Sequence, residues 1–183
     1  MAIGTGLCNY THFGIDPFNA FCIGASNQLN LSLGIFTLLA QVIIAVLILC
    51  NNKKYLGIGS IIPMLTFGYI LQLINTIINF LLPATMPLII NILLFMIGIL
   101  FITFGMSLYM NCDLGMVPYD SISFTIGDSI KKSPFMLRMI LDITVAILAY
   151  LIGGPIQIGT IFIAFGIGPI LDFMKSITRR LIK

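Results

Sequence analysis

The stretch Gly14-Ile15-Asp16-Pro17-Phe18-Asn19 has a counterpart 101 positions later, Gly115-Met116-Val117-Pro118-Tyr119-Asp120. Both have glycine first and proline fourth. Outward from this turn, further matches are Ser32 with Ser133 and, after a one-residue gap, Gly59 with Gly159 and Gly68 with Gly168. Glycine and proline matches that stay in order across half a chain indicate an internal repeat. We therefore predict two copies of one unit, residues 1–82 and 83–183, within a single membrane domain.

Composition indicates that lipid is the main solvent of this chain. Of its 183 residues, 59% are apolar and 8% are charged, whereas a soluble domain has roughly 25% charged residues. So few charges cannot cover a water-facing surface. The sequence therefore predicts an all-α integral membrane protein.

Uncharged or nearly uncharged runs of about one membrane thickness give the predicted spans, since a transmembrane helix needs about 20 mainly apolar residues. They are residues 31–50, 55–82, 86–110, 134–152 and 156–177. Residues 1–11 are apolar but too short to span, so we expect the chain to begin partway through its first helix, which gives six transmembrane segments. Residues 17–29 and 118–130 each begin with proline and follow an apolar stripe, which predicts short amphipathic helices, interfacial or re-entrant.

Each copy contains three predicted spans, and an odd number requires the second copy to enter the membrane inverted. Under this six-span arrangement the basic residues fall on one side, which the positive-inside rule makes cytoplasmic. Both termini are then cytoplasmic. The nine basic residues are Lys53, Lys54, Lys131, Lys132, Arg138, Lys175, Arg179, Arg180 and Lys183.

Polar residues inside the repeat form a second pattern, in which four of the six acidic residues match an amide in the other copy. The pairs are Asp120 with Asn19, Asp128 with Asn27, Asp142 with Gln41, and Asp172 with Gln72. We interpret these as positions where the fold requires a hydrogen-bonding side chain, titratable in the second copy and neutral in the first.

Structural explanations compete with functional ones at three of these acids. Asp120 follows a helix-starting proline by two residues and can cap that helix. Asp128 lies beside two lysines and is typical of a solvated interfacial charge. Asp172 can pair with Lys175, three residues later.

Asp142 is the most informative acid because it lies about 12 Å along a predicted span, at 1.5 Å per residue. Arg138 lies four residues earlier, so the two side chains share a helix face and can pair. Charges at that depth are expensive, so this face should point into the helix bundle or a wet cavity. A structural ion pair and a substrate or proton site remain equal alternatives here.

One motif resembles a known family. The stretch Asp113-Leu114-Gly115-Met116-Val117-Pro118-Tyr119-Asp120 resembles the D-L-G-x-x-P-x-D turn of the bacterial YczE/YyaS/YitT membrane protein family. Gly153-Gly154-Pro155-Ile156-Gln157-Ile158-Gly159-Thr160 loosely resembles that family's glycine-rich loop. The first-half turn departs from the pattern, with His12 and Asn19 where acids are common. The resemblance implies a multipass protein of the bacterial cytoplasmic membrane, and it implies no particular activity.

We predict a small-solute transporter with its site between the two inverted repeats, since broken or short helices form such sites in transporters. The predicted substrate-binding residues are Asp120, Asn19, Asp142, Gln41, Arg138, Asp172 and Gln72. The alternative is a membrane-embedded substrate-capture or accessory subunit that works with a separate partner protein.

Enzymatic activity has no support, because the sequence has neither a nucleophile–base pair nor a phosphate-binding loop. We expect no cofactor and no metal site, since the only histidine, His12, has no second ligand near it in sequence. The expected partners are the lipid bilayer, a small-molecule solute, and either a second copy of the chain or a partner subunit. Nucleic acid is not expected.

Overall fold

The protein is all-helical in a computed structural model, which describes residues 1–51, 53–83, 86–112 and 114–181. A short 3-10 helix, Lys53–Tyr55, precedes the fourth of the α-helices. These are α1 (Ala2–Tyr10), α2 (Pro17–Gln28), α3 (Leu33–Asn51), α4 (Ile58–Leu81), α5 (Leu88–Asn111), α6 (Pro118–Ile130), α7 (Pro134–Leu151) and α8 (Ile158–Leu181). Each helix lies on a predicted segment.

Four helices in the described part of the chain are long and apolar enough to cross a membrane. The candidate spans are Leu33–Cys50, Ile58–Leu81, Leu88–Asn111 and Ile158–Arg179. Large apolar side chains cover their outer surfaces; Ile58 and Phe80 are 84% and 88% exposed. In water such a surface would be strongly unfavourable, so it is suited to lipid.

Six helices pack each on the next in the order α3, α4, α1, α5, α8 and α7. α1 packs on α4 and α5, α5 packs on α8, α3 packs on α4, and α7 packs on α8. The short helix α2 lies against α7 and α3, and the short helix α6 lies against the same two helices. α2 and α6 are therefore enclosed by protein along much of their length, which favours the dipping alternative over the flat interfacial one.

The predicted apolar stripes of the short helices, which begin at Phe18 and Tyr119, are buried where each helix begins and exposed where it ends: Phe18 and Tyr119 are 6% and 5% exposed, whereas Leu29 is 60% exposed. On α6, Ser121, Ser123 and Thr125 are buried while Ile126 and Ile130 are 43% and 49% exposed. With lipid as solvent, the apolar face can remain outside and the small polar face packs inside.

A glycine turn precedes each short helix, and the turns before α2 and α6 pack against the starts of α8 and α4, respectively. Gly14 and Gly115 have φ values of +114° and +112°, which favour glycine over any L-residue with a side chain. A Cβ atom on Gly115 would also lie 2.4 Å from the Gly57 nitrogen. Equivalent backbone hydrogen bonds secure both turns, from Gly59 N to the Leu114 carbonyl (2.9 Å) and from Gly159 N to the Phe13 carbonyl (2.7 Å).

Candidate functional site

A small polar cavity lies where the N-termini of α2 and α6 approach each other. We call it the central cavity; its volume is about 50 Å³. Its apolar wall includes Phe67, Met106 and Ile167. Its polar wall is formed by Thr5, Asp16, Asn19, Gln41, Tyr119, Asp120 and Arg138. Four of the seven predicted site residues thus line one cavity.

Arg138 is the only arginine of the described side chains at this cavity and is 92% buried, with a relative exposure of 8%. α7 begins at Pro134, which is favourable at the first helical turn, and this places Arg138 one turn inside the helix. Its Nη1 donates to Asp120 Oδ1 at 2.9 Å. Its Nε lies 3.6 Å from Asp142 Oδ2, an ion-pair contact longer than a hydrogen bond. The predicted pairing of Arg138 with Asp142 is confirmed.

Asp120 binds Arg138 rather than capping its own helix. The residue at the N-cap of α6 is Val117, and it makes no side-chain cap hydrogen bond. Asp120 lies in the first turn, so its carboxylate still benefits from the helix dipole. Its main partner, however, is a charge on the neighbouring helix. Asp120 therefore lies where the helix dipole favours it, as the structural alternative expected, but it is not the N-cap, and it links α6 to α7.

Tyr119, on α6, contacts three other helices at the cavity, a role that the sequence did not predict. Its hydroxyl donates to Asp142 Oδ1 at 2.6 Å, and its backbone N–H donates to Gln41 Oε1 at 3.4 Å. Its ring stacks on Phe18 with centroids 4.5 Å apart. Phe18 and Tyr119 are equivalent positions of the two sequence copies, so this stack joins α2 to α6.

Asp16 is a second residue that the sequence analysis missed. It is the N-cap of α2, with Oδ1 accepting from the Asn19 backbone N–H at 3.1 Å and Oδ2 accepting from Asn19 Nδ2 at 2.5 Å. The signal was present in the Asp-Pro pair, since aspartate is a favoured N-cap and proline a favoured first helical residue.

Asn19 has one amide atom left over. Its Nδ2 points at the Asp16 carboxylate, and the opposite amide orientation would place two acceptors together, so the assignment of the two atoms is chemically fixed. Its Oδ1 is buried and accepts no hydrogen bond from any described group. Asn19 is only 5% exposed, so the cavity contains a buried acceptor without a protein donor.

Of the three other predicted site residues, Asp142 lies beside the cavity against Arg138. Gln72 is exposed on α4 and does not line it. The side chain of Asp172 lies outside the described residues.

Asp128 forms a separate polar contact at the far end of α6. It accepts from Lys54 Nζ at 2.7 Å and from the Tyr55 hydroxyl at 2.8 Å, and so joins α6 to the segment between α3 and α4. These hydrogen bonds, that from Lys54 first, hold the pKa of Asp128 below its usual value, and the same carboxylate raises the pKa of Lys54. The side chain of Asp128 is 39% exposed, as predicted for an interfacial charge, although its partner comes from the first half.

Long apolar helices around a small cavity with buried charged side chains in its wall define a multipass membrane protein. The chain belongs to a family of unknown function (DUF6198), which it matches over residues 1–176. The resemblance inferred from the turn motif is thereby confirmed.

Three relatives illustrate the family. An uncharacterized protein of Haemophilus influenzae is 30% identical over 181 residues, covering 99% of this chain and 81% of the relative. The uncharacterized membrane protein YczE of Bacillus subtilis is 28% identical over 160 residues, covering 87% and 73%. The uncharacterized protein YyaS of B. subtilis is 29% identical over 189 residues, covering 98% and 89%. No solved structure matches the chain.

Proposed function

We propose that this protein is a small-solute transporter of the bacterial cytoplasmic membrane, with six spans arranged as two inverted repeats and the central cavity as its solute site. The proposal rests mainly on the composition of the cavity wall, which contains both members of six repeat-equivalent pairs. They are Met1 and Ile102, Thr5 and Met106, Asp16 and Val117, Phe18 and Tyr119, Asn19 and Asp120, and Phe67 and Ile167. A cavity lined in pairs lies on the pseudo-two-fold axis, where inverted-repeat transporters bind their solutes.

Packing between the helices supports the inverted repeat. Under the sequence alignment α1 to α4 correspond to α5 to α8, and the contacts occur in matching pairs: α1 with α4 and α5 with α8, α3 with α4 and α7 with α8, α3 with α6 and α2 with α7. Local geometry agrees. Asn30 and Lys131, equivalent residues after the two short helices, have φ values of 52° and 53°.

The two spans beyond the four apolar ones are α7 and α1. α7 contains Arg138 and Asp142, but both are buried, while Ile147 and Leu148 on its other side are 58% and 46% exposed. Charges that face a bundle interior are compatible with a spanning helix. α1 corresponds to the second half of α5 and packs on α4 and α5.

Charge placement supports cytoplasmic termini. The Lys54–Asp128 ion pair joins the α3–α4 connection to the end of α6, so lysines from both halves lie at one end of the bundle. Lys131 and Lys132 follow directly in sequence, and basic residues concentrate on the cytoplasmic side of membrane proteins. Arg138 is the exception to the predicted set, because it is buried at the cavity.

Transport can be tested with purified protein in proteoliposomes incubated with a defined mixture of small solutes, followed by mass spectrometry of the vesicle contents. We expect at least one solute to accumulate beyond protein-free vesicles. Asp120→Asn and Asp142→Asn should reduce its flux or change its pH dependence, and Asp128→Asn serves as the matched control outside the cavity. If neither cavity variant changes the flux, the site assignment is wrong. A stable complex with an ATPase from native membranes would instead favour the capture-subunit alternative.

A further inference from the structure

The central cavity has an excess of negative charge. Three carboxylates, Asp16, Asp120 and Asp142, line it or contact the residues that do, and Arg138 is their one cationic partner among the described side chains. The N-termini of α2 and α6 also point here, and each helix end contributes about half a positive charge. With all three carboxylates ionised, these groups leave about one uncompensated negative charge in a largely buried site.

The hydrogen-bonding groups of the cavity wall also favour a cation over an anion. Arg138 Nη1 and the Tyr119 hydroxyl already donate to carboxylates, and one backbone N–H at the start of each short helix donates to Asp16 or to Gln41. Two buried side-chain atoms of the cavity-lining residues have no hydrogen-bond partner among the described residues, the acceptor Asn19 Oδ1 and the donor Arg138 Nε, and the latter already lies 3.6 Å from a carboxylate oxygen of Asp142. A buried acceptor is unfavourable until a donor reaches it. The free capacity therefore suits a ligand that donates hydrogen bonds.

Size and coordination narrow the ligand further. A space of about 50 Å³ accommodates only a few non-hydrogen atoms, since a single water needs roughly 10–15 Å³ by the same measure. The described residues contain no group of three or more His, Cys, Asp or Glu side chains that could hold a metal ion. The opposite wall is apolar and suits a hydrocarbon group.

We propose that the central cavity binds a small organic cation with N–H donors, of the methylammonium or guanidinium type. The inference rests on the proposed function only in taking this cavity as the solute site. The ammonium group donates to Asn19 Oδ1 and compensates the excess carboxylate, and its alkyl part faces Phe67 and Ile167. An anion would meet three carboxylates with Arg138 already engaged.

Binding can be measured as the shift in melting temperature of the detergent-purified protein on adding methylammonium chloride, because a ligand that binds only the folded state stabilises it. Sodium chloride keeps the ionic strength constant. Tetramethylammonium, which has no N–H donor, and sodium formate, a small anion, are the controls. We expect a saturable rise with methylammonium and little or none with either control. Saturable stabilisation by formate alone, or by lowering the pH without any cation, would overturn the proposal.

The decisive variant is Gln41→Glu, which keeps an acceptor near the Tyr119 N–H and adds a negative charge at the cavity wall. Taking an effective dielectric constant of about 20 and a separation of roughly 6–7 Å between the new carboxylate and the cation, one added charge should tighten cation binding about 50- to 100-fold. Asn27→Asp, the same amide-to-acid change at an exposed position of α2, should leave the affinity unchanged. Since a misfolded protein cannot bind more tightly, a gain in affinity excludes a folding artefact. Weaker binding in Gln41→Glu would contradict the cation assignment.

Flux separates this inference from the proposed transport function. Labelled methylammonium is offered to proteoliposomes of the wild-type protein and of Asn19→Leu, which removes the free acceptor and should weaken binding about tenfold. Binding without flux would refute the transporter and leave the cation site. Flux of an anionic or neutral solute without methylammonium binding would refute the cation site and leave the transporter.

Discussion

The buried ion pair between α6 and α7 makes a strong prediction about Asp120→Asn. Removing one partner of a buried pair costs about 3–5 kcal/mol when the other charge is left alone. Here the cost is smaller, because Asn keeps an oxygen near Arg138 Nη1 and Arg138 keeps Asp142, 3.6 Å from its Nε. We expect the variant to lose about 2–3 kcal/mol of unfolding free energy, the value of a hydrogen bond to a charged group. Asp128→Asn on the same helix should lose less, because solvent screens its exposed pair with Lys54.

The measurement is the unfolding of purified protein in detergent, compared with the same substitution made in an Arg138→Met background. Without the guanidinium, Asp120 faces Asp142 and Asp16 with no compensating charge, so neutralising it should be neutral or stabilising there. The substitution therefore changes sign between the two backgrounds. If its cost is the same in both, Asp120 and Arg138 are not energetically coupled and the account of the cavity fails.

Three further predictions concern the turn, the tyrosine and the exposed pair. Gly115→Ala should cost about 3–5 kcal/mol of stability, from the positive φ and from loss of the backbone hydrogen bonds that the turn makes. The control is Gly168→Ala, where the added methyl has open space; it should be neutral or stabilising by up to about 1 kcal/mol. Equal shifts in melting temperature for the two variants would contradict the role given to Gly115. Tyr119→Phe removes the hydroxyl donor to a buried carboxylate and should lower stability by about 1.5–3 kcal/mol without changing helix content by circular dichroism. Because the pKa of Asp128 is lowered in the folded state, its contribution to stability is present above its unfolded-state pKa and is lost as pH falls below about 4. The difference in melting temperature between wild type and Asp128→Asn should therefore disappear in acid. The raised pKa of Lys54 keeps the ion pair intact until well above neutral pH.

Most of the helices could be predicted from sequence because prolines, glycines or charged residues lie at their ends. Proline starts α2, α6 and α7 at the predicted residue. The i, i+4 relation of Arg138 and Asp142 also follows from helix geometry alone. Three of the four polar matches between the copies contain a residue with a structural role. Asp120 with Asn19 and Asp142 with Gln41 line the cavity or pair beside it, and Asp128 links α6 to the first half.

The rest depended on how helices rotate and cross, which periodicity within one helix does not give. Gln72 was predicted at the site because its repeat partner is an acid. On α4, however, the cavity meets Pro63 and Phe67, and five residues beyond Phe67 a side chain is about 140° further round the helix and about 7.5 Å along it. Gln72 therefore faces outward. Tyr119 belonged to a predicted apolar stripe, and only the crossing of α6 with α7 brings its hydroxyl to Asp142.

The asymmetry between the copies has a mechanical consequence. In the second copy, charged and hydroxyl groups join α6 to α7 through Asp120 with Arg138 and through Tyr119 with Asp142. The equivalent α2 has Phe18 and Asn19 at these positions, and Asn19 bonds within its own helix. Moving α6 away from α7 separates buried charges, whereas moving α2 away from α3 does not. We therefore expect backbone amides of α2 to exchange with deuterium faster than those of α6, and slower exchange in α2 would show that the ion pair does not set which half moves.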